Sequence, residues 1–211
     1  MSKLSIKGIE LNERDFLILK IIFMFRYCLG RHIQKLAGFQ SVPSCDRRLR
    51  KLLEAKYIER KRHIWGIPYI YTLSHKGRML INVNKAPVKI RLEQVTHDIT
   101  VIDCVIHFLD KYNITLDDIT TEKELHSKAG FTTRKHAPDF VIFKDDEIFA
   151  FEIELTAKAL TTLEKNVKTN YLDYDRQIWV TDNSKVKRNL EGLQKTYNLE
   201  IVDLGDIVKW K

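Results

Sequence analysis

Eight consecutive residues, Ile148-Phe149-Ala150-Phe151-Glu152-Ile153-Glu154-Leu155, set two carboxylates inside a run otherwise too apolar to face water. A run of this length and composition reads as a β-strand buried in a sheet. At a side-chain period of two, Glu152 and Glu154 point the same way. A buried carboxylate without a partner is costly, so the surrounding fold has to bring a cation or hydrogen-bond donors to that face. A metal ion is the economical solution, and an all-oxygen ligand set suits Mg2+ or Mn2+.

The segments around this strand extend the pattern. Asp118–Glu122 and Pro138–Phe143 are further β-prone runs, and Asp139 follows a proline at the start of the second. A helix from Ala157 to Asp173 precedes a buried-looking strand, Gln177–Thr181. A helix over about 185–197 and a strand at Leu199–Val202 follow it. Ahead of them all, Val95, Ile99, Ile102, Val105, Ile106 and Leu109 recur at helical spacing, with His97 and Asp98 in the first turn. The order α, β, β, β, α, β, α, β predicts a mixed sheet with helices against it.

The first part of the chain has a different period. Leu17, Ile18, Ile21, Ile22 and Phe25 mark a helix over about 13–27 with Asn12 as N-cap. His32–Ala37 reads as a short helix stopped by Gly38. Ser41 or Ser44 can cap a third helix with Pro43 in its first turn and Leu49, Leu52 and Leu53 as the buried stripe, leaving Arg47, Arg48, Arg50 and Lys51 off that stripe. Tyr57–Arg62 and Tyr69–Leu73 then form a hairpin whose turn carries Trp65, Gly66 and Pro68, and Ser74 opens another helix.

Charge separates the two parts as sharply as periodicity does. Residues 1–85 hold 18 Lys or Arg against 6 Asp or Glu, a net +12, whereas residues 86–211 hold 18 against 22, a net −4. Asn82-Val83-Asn84-Lys85-Ala86-Pro87 coincides with the change of sign. It predicts a two-domain α+β chain divided into residues 1–84 and 85–211. The concentration of cations on the third helix and hairpin points to a polyanion such as double-stranded DNA. The three cysteines, Cys28, Cys45 and Cys104, are scattered and form neither a disulfide framework nor a zinc clip, which fits a reducing, cytoplasmic setting. No apolar leader or membrane-spanning run is evident, so no membrane partner is expected.

Three helices and a hairpin, with Tyr71–Gly77 reading YTLSHKG, look like a winged helix-turn-helix. That resemblance implies that the third helix enters the major groove through Arg47, Arg48, Arg50 and Lys51, while Arg60, Lys61 and Arg62 approach the backbone. It also admits a homodimer on palindromic DNA. In the second domain, Pro138-Asp139, twelve intervening residues and Glu152-x-Glu154 resemble the PD-(D/E)xK nuclease superfamily, with its restriction-endonuclease-like α/β fold. The resemblance implies metal binding by Asp139 and Glu152. Glu154 stands where lysine is usual, so it would complete the metal shell or position water, and Lys158 or Lys165 would replace the missing lysine.

The whole chain resembles the replication-relaxation family and MobC-type plasmid relaxases, which join a winged helix to a nuclease-like domain. This implies site-specific, metal-dependent single-strand cleavage at an origin of transfer or replication of a plasmid or other mobile element, alongside relaxosome proteins. His97 would lie near the chemistry, and Tyr171 could supply a hydroxyl nucleophile, as could Tyr174. The alternative expectation is a non-catalytic DNA-binding regulator or relaxosome accessory protein on a degenerate nuclease fold.

Overall fold

The computed structural model describes residues 9–62, 66, 68–83, 89–129 and 136–208, so Trp65 and the expected division between residues 84 and 85 lie outside the described residues. The chain divides into two compact units, Met1–Ile102 and Asp103–Lys211. The division falls inside a helix, Val95–Tyr112.

The first unit begins with α1 (Glu13–Met24). Its N-terminus is closed reciprocally: the Asn12 side chain accepts the Asp15 N–H at 3.2 Å, and the Asp15 carboxylate accepts the Asn12 N–H at 2.8 Å. β1 (Cys28–Leu29), α2 (Gly30–Leu36) and α3 (Val42–Glu54) follow. α2 stops because Gly38 takes φ 65°, letting its N–H reach Lys35 O at 3.1 Å and the Phe39 N–H reach Gln34 O at 2.9 Å. β2 (Ile58–Lys61), β3 (Ile70–Leu73) and α4 (His75–Leu80) complete the unit. β1, β3 and β2 form an antiparallel sheet in that order, a third strand beyond the expected hairpin. Ile18, Ile22, Leu29, Ile33, Leu49, Leu52 and Ile70 are all buried.

Ser74 caps α4, accepting the Gly77 N–H at 3.0 Å and donating to Lys56 O at 2.6 Å. A Cβ at Gly77 would lie 2.0 Å from the Tyr57 carbonyl oxygen, so only glycine lets α4 approach the backbone just ahead of β2 this closely.

The second unit takes up from Asp103 within α5 (Val95–Tyr112) and continues through β4 (Ile119–Thr121) and α6 (Glu122–Ala129). Glu122, expected inside a strand, instead opens α6. The cause is local: the Glu124 carboxylate accepts both the N–H and the hydroxyl of Thr121, at 2.9 and 3.0 Å, and so turns the chain into a helix. Then come β5 (Phe140–Lys144), β6 (Glu147–Ile153), α7 (Leu160–Asp173), β7 (Arg176–Thr181), α8 (Ser184–Leu193), β8 (Glu200–Asp203) and α9 (Leu204–Ile207).

The sheet runs β4-β5-β6-β7-β8; β4, β5 and β6 are antiparallel neighbours, and β6, β7 and β8 are parallel. It is therefore mixed, as expected, because α7 and α8 make the crossovers that parallel pairing needs. β5 and β6 are joined by Asp145 and Asp146, both at positive φ, which is the geometry of a two-residue hairpin.

Register assigns the faces of this sheet. Phe151 pairs with Phe140 and Ile178, and Phe151 contacts Phe108 of α5, the ring centroids 4.6 Å apart. Glu152 pairs with Trp179, which lies in a core cluster with Leu163 and Val167 of α7 and Val186 and Leu190 of α8. Glu152 is thus turned to the α7 side, and the aromatic packing to the α5 side. No helix among the described residues is long and apolar enough to cross a membrane.

Candidate functional site

The antiparallel ladder between β5 and β6 ends at Phe140 and Phe151. One step beyond it, Asp139 stands across from Glu152, so the two acids sit at neighbouring strand ends on one face. Asp139 is fixed by its own hydrogen bond, its Oδ2 accepting the Ile153 N–H at 2.8 Å.

Glu152 is 4 % exposed, and its Oε1 meets two side chains that the sequence did not single out. His136 Nε2 lies 2.5 Å away, and Asn170 Nδ2 donates at 2.9 Å. Burial pushes the Glu152 carboxyl above its ordinary range; the His136 contact opposes this, and the charge of Asp139 adds to it. At His136, burial alone would lower the imidazole, but the hydrogen bond and charge of Glu152 outweigh it and leave the ring above its usual value. Asn170 is fully buried on α7, and its Oδ1 has no hydrogen-bond partner among the described residues.

Glu154 continues the same face two residues on. It is 3 % exposed and takes the Lys158 ammonium on its Oε1. Its backbone is also tied down: its N–H donates to Val180 O at 2.9 Å, and its C=O accepts the Thr181 hydroxyl at 2.6 Å. Burial by itself would lower Lys158, yet Glu154, then Glu152 and Asp139, hold the ammonium above its ordinary value. One lysine therefore feels all three carboxylates, while His136 feels Glu152, Lys158 and Asp139. The cluster is thus mixed, with three acids, an ammonium, an imidazole and a carboxamide.

Lys165 is exposed on α7. Tyr171 is 48 % exposed and makes an edge contact with Tyr197, the centroids 5.5 Å apart. Tyr174 is closer in the electrostatic sense: burial raises its hydroxyl, and Asp173 and Glu152 raise it further. His97 belongs to the first unit, its Nδ1 3.6 Å from Asp98, whose carboxylate accepts the Tyr27 hydroxyl at 2.6 Å. Of the two partners of Glu152, Asn170 carries a sequence signal and His136 none. Asn166 and Asn170 fall on the same helical stripe as Leu163 and Val167, and two amides on a buried stripe call for a polar partner.

In the first unit, Arg47, Arg50 and Lys51 are exposed on α3, and Arg60, Lys61 and Arg62 are exposed at and just beyond β2. Arg48 differs from them. Its Nε donates to Asp15 Oδ1 at 2.5 Å, its Nη2 pairs with Asp15 Oδ2, and the same Nη2 donates to Glu10 O at 2.9 Å. With Asp15 fully buried, Arg48 is held against α1 and is not placed with the outward-facing cations.

Among the described residues, no group of three or more His, Cys, Asp or Glu is disposed as a metal cage. No family model, no curated protein and no solved structure matches the chain.

Proposed function

We propose that the protein is a DNA-binding, metal-dependent endonuclease that nicks one strand. In this reading the first unit is a winged helix-turn-helix and the second a restriction-nuclease-like domain, as in the replication-relaxation and MobC-type relaxase families. Its DNA would be an origin region of a mobile element. The observation that carries the reading is that Asp139 lies one step beyond the β5–β6 ladder, bonded to the Ile153 N–H beside Glu152, with the Lys158 ammonium on Glu154 of the same face.

The donor set fits a hard cation. Mg2+ is ordinarily held by one or two carboxylates together with water and substrate phosphate, so a protein cage of three acids is not required. Asp139 and Glu152 would hold the ion, and Glu152 offers Oε2, which no described residue bonds. When bound by these residues, a divalent ion would supply Lewis-acid activation of a phosphodiester. Glu154 is better read as the group that positions Lys158 than as a ligand, because its Oε1 already carries the ammonium. Lys158 in turn offsets negative charge gathering at a scissile phosphate, the role expected of the lysine missing from the motif. His136 and Asn170 orient Glu152 from behind. On α3, Arg47, Arg50 and Lys51 face a groove; on the hairpin, Arg60, Lys61 and Arg62 face phosphates.

One observation favours the alternative of a non-catalytic DNA-binding regulator or accessory protein. Each carboxylate already has a partner, His136 and Asn170 for Glu152, Lys158 for Glu154 and the Ile153 N–H for Asp139. Such a cluster could be a neutralised scaffold. Incubation of the purified protein with supercoiled plasmid carrying candidate origins separates the two. The nuclease reading expects open-circular product with Mg2+ or Mn2+ that vanishes with a chelator and in Asp139→Ala. Unchanged supercoiled plasmid in the presence of measured DNA binding supports the regulator.

A further inference from the structure

The β2–β3 hairpin carries an arrangement that the groove-and-backbone reading does not use. Arg60 pairs across from Tyr71 in the ladder, and at a period of two Arg62 and Tyr69 continue on the same face toward the tip. The Arg60 guanidinium carbon lies 4.7 Å from the centroid of the Tyr69 ring, and that of Arg62 lies 5.2 Å from the same centroid. Tyr69 is 42 % exposed, and both arginines are exposed. An exposed tyrosine that gathers two cations from the neighbouring strand adds nothing to a core, so its effect is on where those cations are held.

We infer that Tyr69 is a positioning residue that orders Arg60 and Arg62 into a face that grips the phosphates of double-stranded DNA; the inference rests on the DNA-binding reading above. A guanidinium stacked on an aromatic ring keeps its N–H edge directed outward, in the plane that matches a phosphate bidentately. Holding that plane before the encounter removes much of the side-chain freedom an arginine otherwise loses on binding. The partner is a polyanion because residues 1–85 carry a net +12, and because Arg47, Arg50 and Lys51 are exposed in the same unit. Phosphate contacts carry no base information, so the effect is independent of the recognition sequence.

The test is fluorescence anisotropy of the full chain with a mixed-sequence duplex of roughly two helical turns across a salt series. Tyr69→Ala is expected to weaken binding roughly five- to tenfold with the salt slope unchanged, since the arginines still reach phosphate but are no longer ordered. Tyr69→Phe, which keeps the ring, should bind within about twofold of the native chain. Arg60→Ala/Arg62→Ala should flatten the logarithmic salt slope by about two. Thermal melts confirm that each variant is folded. If the native chain fails to bind duplex at low salt, DNA binding itself falls and the inference with it. Binding that is native-like in Tyr69→Ala, or equally weakened in Tyr69→Phe, overturns the inference alone. Equal affinity for poly-glutamate, with the same loss in Tyr69→Ala, would move the partner to an acidic protein and overturn it as well.

Discussion

Replacing Arg48 with alanine should lower the unfolding free energy by about 3 kcal/mol, a large share of what holds a small domain together. The reason lies in Asp15. Its carboxylate is fully buried, caps α1 through the Asn12 N–H and takes two nitrogens of the Arg48 guanidinium. Taking Arg48 away leaves that charge in the interior with a single backbone donor, which costs far more than the intact pair contributes. Asp15→Ala should be less severe, because the guanidinium left behind is 18 % exposed and can recruit water. The double substitution should recover part of the loss. Urea unfolding of the three variants reads these values, and a change within about 0.5 kcal/mol in Arg48→Ala would contradict the arrangement. A DNA-binding loss in that variant would therefore report the fold, whereas one in Arg47→Ala or Arg50→Ala, exposed on the same helix, would report the proposed interface.

The second large effect belongs to Lys158. Removing the ammonium that pairs with Glu154 and feels Glu152 and Asp139 should slow strand cleavage about a hundredfold or more, the order seen when one charge-stabilising donor is lost from an active site. Lys158→Arg should retain part of the rate, and duplex affinity should stay native-like in both variants. Glu154→Gln should slow cleavage by less, since it loosens the ammonium without removing it. Single-turnover nicking beside anisotropy separates these outcomes. A rate unaffected in Lys158→Ala would remove the residue from the chemistry.

What the residues disclosed beforehand depended on how local the controlling physics was. The apolar run at Ile148–Leu155 predicted a buried strand, and β6 is one. Asn12 at the start of α1 and Gly38 after α2 act through neighbours within one turn, so their roles could be read directly. The Thr121-x-x-Glu124 capping signal was equally local, but the β-prone Ile119-Thr120-Thr121 overshadowed it, and α6 was missed. β1 is two residues long and is defined only by its pairing to β3, which no local pattern announces.

The site divides in the same way. The strand period predicted that Glu152 and Glu154 share a face, and the proline before Asp139 marked the start of a strand. The His136 and Asn170 contacts to Glu152 span 16 and 18 residues, and the tie of Arg48 to Asp15 spans 33. Only the tertiary fold brings such groups together. Periodicity placed Arg48 off the buried stripe of α3, but it could not reveal a buried acid on α1 waiting for it.

Whether the acids at the ends of β5 and β6 hold a divalent cation, as proposed, is read with paramagnetic Mn2+ and without any cleavage assay. Titrated into the full chain and followed by electron paramagnetic resonance, Mn2+ should fill one site whose affinity falls about tenfold or more in Glu152→Gln and in Asp139→Asn. Failure of the native chain to take up Mn2+, or uptake with the same affinity in both variants, would contradict the proposal.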